Sequence, residues 1–197
     1  MKRVCVFCGS RPGRNPAYAE AAKALGHSMA ERGIALVYGG GHVGLMGIIA
    51  DAVLGAGGQV MGVIPEFLEA RELAHTNLTE LIVVPSMHAR KAKMAELSDG
   101  FIAMPGGFGT FEEICEVLTW GQLGLHIKPH GLLNVAGYYD PLIRLFDQAV
   151  TEDFLSIQNR GMVLENHDPV QLLEMLIAWQ LPHQPSPPEE RDILERF

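Results

Sequence analysis

The residues with chemical potential in this sequence lie in two glycine-rich segments and in the charged side chains between them. Gly39-Gly40-Gly41-His42-Val43-Gly44 has the spacing G-x-G-x-x-G, and Pro105-Gly106-Gly107-Phe108-Gly109-Thr110-Phe111-Glu112-Glu113 is a second such segment. Each lies between a short apolar run and a stretch with helical periodicity. Glycine lets a backbone approach an anion closely, and a helix start offers unpaired N–H groups and a favourable dipole. One such turn is explained equally well by a tight strand–helix crossover. Two at one sheet edge suggest a cradle for a phosphate and an attached sugar. Neither reads G-x-x-x-x-G-K-[ST], which argues against a P-loop nucleotidase.

Arg90 and Lys91 stand in Met87-His88-Ala89-Arg90-Lys91-Ala92-Lys93. A basic cluster of this kind is usually a solvated face, but an Arg at the cradle's edge can grip phosphate or ribose oxygens bidentately. Glu113 has two readings. Thr110-x-x-Glu113 is a capping-box spacing, with Thr110 as cap and Glu113 reaching back to its N–H. The other reading is a carboxylate held at a phosphate–sugar site, and spacing alone does not choose. Glu72 sits in the long polar stretch from Glu66 to Glu80 and is by default a surface charge. The histidines form no H-E-x-x-H, and Lys128-Pro129 breaks the helix that would align His126 with His130, so no metal site is expected. Cys5 and Cys8, at an odd offset in a strand, point to opposite faces, which argues against redox or zinc use.

The elements that must position these residues alternate. Val4–Phe7, Ile34–Tyr38, Gln59–Ile64, Leu81–Val84, Phe101–Met104 and Gly131–Val135 read as strands, with a short seventh at Met162–Leu164. Helices are expected from Asn15-Pro16 to Gly33, with Asn15 as cap, and over Leu45–Leu54, Met87–Leu97, Phe111–Leu123, Tyr139–Val150 and Pro169–Gln180. Continuously apolar strands between helices predict an α/β protein with a Rossmann-like, doubly wound, mainly parallel sheet. One domain, 1–181, is expected, followed by a Pro-rich C-terminal tail, 182–197. Ligands of such folds bind beyond the carboxyl ends of the strands. That brings the Cys8-Gly9-Ser10-Arg11 turn together with the two glycine segments.

Bulk properties narrow the function. The 197 residues carry 48% hydrophobic and 19% charged side chains, a globular composition, and a formal net charge of −8 argues against a broad nucleic-acid surface. No apolar run is long enough for a membrane span, and the apolar start is too short for a signal peptide, so the cytoplasm is the expected location.

Tyr38 to Gly47, Met87-His88-Ala89-Arg90-Lys91 and Pro105 to Glu113 together resemble the Lonely Guy (LOG) family, cytokinin riboside 5′-monophosphate phosphoribohydrolases often mislabelled "lysine decarboxylase". The likeness runs from about Lys2 to Leu176; Arg11 stands where many relatives carry a small residue. The resemblance implies a homodimer that hydrolyses the base–ribose bond of an adenosine-type 5′-monophosphate to free base and ribose 5-phosphate. It implies Arg90 and Glu113 as the catalytic pair, and Glu72, Lys91, Gly107, Phe108, Gly109, Thr110 and Thr119 as nucleotide contacts. Gly40, Gly41 and Ser10 join them as turn residues at the same edge. It implies no metal and no cofactor, pyridoxal phosphate included. Two other readings remain on the residues alone. One is a non-catalytic nucleotide-binding or carrier protein on the same scaffold. The other is a dinucleotide-dependent oxidoreductase, which the G-x-G-x-x-G spacing and Glu66 favour, although no hydride-transfer site is visible.

Overall fold

The computed structural model describes residues 1–69 and 74–179; Glu72 and the Pro-rich tail lie outside the described residues. The strands are β1 (Arg3–Phe7), β2 (Ala35–Tyr38), β3 (Val60–Pro65), β4 (Glu80–Val84), β5 (Gly100–Ala103), β6 (His130–Leu133) and β7 (Val163–Asn166). The helices are α1 (Ala17–Glu31), α2 (Gly44–Gly55), α3 (Glu66–Glu69), α4 (Met87–Leu97), α5 (Phe108–Gln122), α6 (Asp140–Thr151), α7 (Ile157–Arg160) and α8 (Pro169–Ala178). All strand pairs are parallel, in the order β4-β3-β2-β1-β5-β6-β7. The Rossmann-like α/β expectation therefore holds. The chain steps outward from β1 to β4, returns to the other side of β1 as β5, and steps outward again. The reversal creates a crevice at the carboxyl ends of β1 and β5, where open α/β sheets bind ligands.

The pattern of apolar residues explains the layers. The central strands β1, β2 and β5 are buried almost throughout, whereas the edge strands β4 and β7 are only partly buried. One face buries Val4, Val6, Leu36 and Tyr38 against Leu25, Ile49 and Leu172 of α1, α2 and α8. The other buries Cys5, Phe7, Val37 and Phe101 against Met94 and Ile114 of α4 and α5. Each fully buried large apolar side chain contributes about 1.5–3 kcal/mol relative to exposure. Cys5 and Cys8 fall in different clusters, and burial pushes both thiols up.

Two helix starts differ from expectation. α1 begins at Ala17, with the Asn15 side chain accepting from the Ala17 N–H at 3.0 Å. α5 begins at Phe108, three residues before the expected Phe111, with Gly107 as its cap residue and no side-chain cap. Thr110 is thus inside the first turn, and Glu113 is too far along the helix to reach back as a capping-box residue. That reading of Glu113 is overturned.

The three turns at the crevice interlock through their backbones. The Gly9 N–H donates to the Pro105 carbonyl and the Gly9 carbonyl accepts from Leu45, both at 3.0 Å. Gly44, at φ +62°, packs so closely that a Cβ would lie 2.3 Å from the Ser10 carbonyl carbon. A Cβ on Gly106 would lie 2.1 Å from Thr110 Oγ1. Gly44→Ala combines an unfavourable φ with overlap against fixed backbone, and is expected to cost about 3 kcal/mol or more. That corresponds to a Tm lower by roughly 6–12 °C. Gly55→Ala, where a Cβ meets nothing within 4 Å, should leave Tm equal or slightly raised. Thermal melts of the two variants side by side check the interlock.

Candidate active site

Helices α4 and α5 deliver the charged residues to this crevice. Ser86 caps α4 by accepting from the Ala89 N–H at 3.1 Å, which fixes the first turn and with it Arg90. Arg90 and Lys91 are neighbours on α4 and point in different directions. Lys91 is buried and donates to Glu112 and, at 3.0 Å, to Glu116 of α5. Arg90 instead faces Glu113, its Nη2 3.8 Å from Glu113 Oε1, with the two side chains only 11% and 9% exposed.

Arg90 lies across Gly39. A Cβ on Gly39 would fall 1.8 Å from Arg90 Nη2, so the bare glycine makes room for the guanidinium. The guanidinium is poorly satisfied among the described residues. Its Nε is buried with no hydrogen-bond partner, and Nη1 contacts only the Met87 sulfur, at 3.9 Å. A buried fork of donors with few acceptors is suited to ligand oxygens.

Glu113 is tuned. Burial pushes its carboxyl up; Arg90 opposes that, Glu112 adds to it, Lys91 opposes and Glu116 adds, and the carboxyl ends at about 7. For Lys91 burial acts downward, but its bonds to Glu112 and Glu116 outweigh it and the ammonium is held up. That is the reverse of the lowered amine that Schiff-base chemistry needs.

The remaining expected site residues divide. Gly107, Phe108 and Gly109 are exposed at the start of α5, where a Cβ on either glycine would meet nothing within 4 Å. Packing therefore does not explain these two glycines. The Gly107 N–H has no partner among the described residues, and the N–H groups of Phe108, Gly109 and Thr110 are the unpaired donors of a helix start. Thr110 is buried beside Gly106. Ser10 is exposed on the β1–α1 turn. Gly40 and Gly41 are buried: the Gly40 carbonyl accepts from His75 at 2.8 Å, and Gly41 pairs with Ala74 in an isolated bridge. Thr119 is twelve positions along α5 from Gly107, about 18 Å at 1.5 Å per residue. Its hydroxyl donates to the Cys115 carbonyl at 2.8 Å, and the fold does not bring it to the turns. His126 and His130 do come together, ring centroids 5.2 Å apart, but both donate Nε2–H to the Val117 carbonyl. Burial and the His126 ring drive His130 down to about 3.

Sequence reasoning missed the close contacts that Gly39, Gly44 and Gly106 make, and it missed the pairing of Lys91. It also missed two consecutive tyrosines in the β6–α6 connection. Tyr139 donates to the Met104 carbonyl at 2.7 Å, and Tyr138 donates to the Gly106 carbonyl. The adjacent aromatics at 138 and 139 were the available signal.

The fold and this crevice define a class: an α/β protein with an uncapped helix start at the topological switch point, beside a buried guanidinium–carboxylate pair. The comparisons give the family. The family described as "Possible lysine decarboxylase" matches residues 46–176. The chain is 51% identical over 176 residues to a cytokinin riboside 5′-monophosphate phosphoribohydrolase of Arabidopsis thaliana, covering 89% of this chain and 83% of that protein. It is 56% identical over 164 residues to a probable cytokinin riboside 5′-monophosphate phosphoribohydrolase of Oryza sativa subsp. japonica, covering 83% and 67%. The chain belongs to the LOG family. Among solved structures it resembles the molybdenum cofactor carrier protein of Chlamydomonas reinhardtii, with TM-score 0.66 and 24% identity over 91% of this chain and 99% of that one. It also resembles the molybdenum cofactor binding protein of Rippkaea orientalis, with TM-score 0.67 and 23% identity over 90% and 99%. At these identities the likeness is one of fold.

The tuning of Glu113 can be read without substrate. In protein carrying ¹³C-labelled glutamate, the Glu113 carboxyl is expected to titrate near pH 7. Arg90→Gln removes the opposing positive charge and should move that midpoint higher. A Glu113 midpoint in the ordinary carboxylate range would contradict this description of the site.

Proposed function

We propose that this chain hydrolyses the N-glycosidic bond of adenosine-type, cytokinin riboside 5′-monophosphates, releasing free base and ribose 5-phosphate. The observation that carries the reading is the buried Glu113 carboxyl, poised at about 7 beside Arg90 and near an anion-suited helix start. The names of the relatives support the substrate class.

In this reading the N–H groups at Gly107 to Thr110 and the positive end of α5 take the 5′-phosphate. Holding the phosphate fixes the ribose against Arg90 and Glu113 and converts remote binding energy into orientation. Departure of the base builds positive charge on the ribose ring, as in other oxocarbenium-like reactions. The Glu113 carboxylate stabilises that charge and takes a proton from the attacking water. A base with a pKa near the working pH combines availability with proton affinity. Arg90 supplies the planar fork that holds ribose or phosphate oxygens. The water oxygen bonds to the ribose C1′, and the bond to the base nitrogen breaks with its electron pair leaving on the base.

Lys91, paired with two carboxylates, serves this site by tying α4 to α5, which departs from the nucleotide contact implied by resemblance. Thr119, remote from the turns, is compatible with a nucleotide contact only from a second copy. A homodimer is part of this proposal, and the exposed Phe108, Leu123 and Leu125 on and after α5 support it. Light scattering at micromolar concentration tests it, and a monomer removes it.

AMP and an N6-isopentenyl AMP are the substrates to test, with released base followed by chromatography. The reading requires the ionised carboxylate, so kcat should climb roughly tenfold per pH unit on the acid side and level off above about pH 7. Glu113→Gln should abolish that limb and lower kcat by about a hundredfold or more. Equal kcat/KM for AMP and adenosine would remove the phosphate cradle from the argument.

A further inference from the structure

The turn that opens α5 is held from outside by a connection that is itself under strain. Between β6 and α6 the backbone of Ala136 sits at φ +53°, a left-handed conformation unusual for alanine, and Gly137 follows at +72°. Asn134 braces this loop: its Oδ1 accepts from the Tyr139 N–H at 2.7 Å and its Nδ2 donates to Asp140 at 2.7 Å. The result is that two adjacent tyrosines present their hydroxyls to one turn. Tyr139 reaches the Met104 carbonyl and Tyr138 the Gly106 carbonyl. The Tyr138 ring is held edge-on by Tyr18 and lies parallel to Phe111 of α5. Strain of this kind persists where the surroundings over-determine it and tends to accompany function.

The two bonds differ in consequence. A trans peptide is planar, with its carbonyl oxygen and amide hydrogen on opposite sides. The Gly106 carbonyl belongs to the same peptide as the Gly107 N–H. A hydroxyl that fixes the carbonyl in one direction therefore aims the N–H in the other. Gly106 and Gly107 lack side chains to restrict this peptide, so without the hydroxyl it has more freedom to turn. The Gly107 N–H is one of the donors without a partner among the described residues.

We propose that Tyr138 is a positioning residue whose hydroxyl, through the Gly106–Gly107 peptide, aims the Gly107 N–H at the phosphate of the ligand. Phosphate affinity depends on it, and the bond-breaking step does not pass through it. This rests on the phosphate-binding part of the function proposed above. Tyr139 anchors the turn to the sheet and has no such lever, because the peptide after Met104 leads into Pro105, which has no N–H.

The test uses the full chain with ribose 5-phosphate as the probe. In Tyr138→Phe the ring contacts remain and the hydroxyl is gone. Its dissociation constant for ribose 5-phosphate, by calorimetry, should rise about tenfold, the scale of one hydrogen bond to a charged group. With AMP as substrate kcat/KM should fall by a similar factor, while the acid-side midpoint of the kcat profile, set by Glu113, stays in place. Tyr139→Phe should lower Tm more and ribose 5-phosphate affinity less. In the wild-type protein, ribose 5-phosphate should shift the Gly107 amide proton downfield, a readout that needs no variant to fold. A Tyr138→Phe protein with wild-type affinity, or a Gly107 amide unmoved at saturation, would overturn the proposal. If the wild type binds ribose 5-phosphate in this Tyr138-dependent way but leaves AMP intact, the hydrolase reading falls and this one stands. If AMP is split while affinity ignores Tyr138, the reverse holds.

Discussion

The crevice depends on how closely three backbone turns approach one another at the reversal of strand order. β1 lies between β2 and β5, so the turns after these strands emerge side by side. An ordinary side chain at Gly44 would prise two of them apart, since its Cβ meets the Ser10–Arg11 backbone well inside contact distance, and one at Gly106 would collide with Thr110 in the first turn of α5. The closeness lets Gly9 bond to Pro105 on one side and Leu45 on the other. It also sets where α2 and α5 begin. An anion site made of backbone N–H groups is only as well defined as the helix start that carries them, and here that start is fixed by main-chain contacts to the sheet's central strand.

The electrostatics are layered onto this frame by two helices that meet as a ladder of charges. Glu112 and Glu116 are one turn apart on α5 and share a face, and Lys91 satisfies both. Glu113, next along the helix, is rotated away from that face toward Arg90. Lys91 thus offsets two carboxylates that would otherwise drive Glu113 higher. Arg90 completes the arrangement and is accommodated only because position 39 has no side chain. Four carboxylate and cation positions and one glycine, from three different elements, act on a single proton equilibrium.

Much of the fold was legible because a parallel sheet buried on both faces leaves a simple signature. Each central strand is a short, continuously apolar run, and the α4 bounds at Met87 and Leu97 coincide with expectation. The error at α5 has a physical cause. Thr110-x-x-Glu113 imitates a capping box, while the real cap residue, Gly107, offers no side chain to signal it. That error had blurred Glu113, which became distinct once the helix gained its first turn. Arg90 and Glu113 were legible as candidates from type and spacing, but their mutual geometry was not. The role of Gly39 was illegible in principle, because it exists only against an arginine fifty-one positions later. Tyr138 acts through a carbonyl thirty-two residues upstream; the adjacent aromatics at 138 and 139 mark the position but do not name that partner.

The fold alone is neutral between a carrier and an enzyme, since one scaffold hosts both kinds of site. The state of Glu113 is not neutral. Its carboxyl is raised from an ordinary value of 4.5 to about 7 by burial, so the folded chain holds that proton more tightly than the unfolded chain does. Stability on this account is greatest below about pH 4.5 and declines as pH rises toward 7. By then the shift corresponds to roughly 3 kcal/mol, a substantial part of the about 5–15 kcal/mol that holds a domain together. An anion cradle has no use for this: a carboxylate beside the phosphate repels it, and a glutamine of the same shape would fill the space at lower cost. The capping role that could have justified the residue is excluded by its place in α5. What remains is a carboxyl kept near its midpoint, next to an under-satisfied arginine. That is the arrangement a proton-transferring, cation-stabilising group requires, and its energetic disadvantage to the resting protein is the strongest physical reason to read the crevice as a place where a bond is broken.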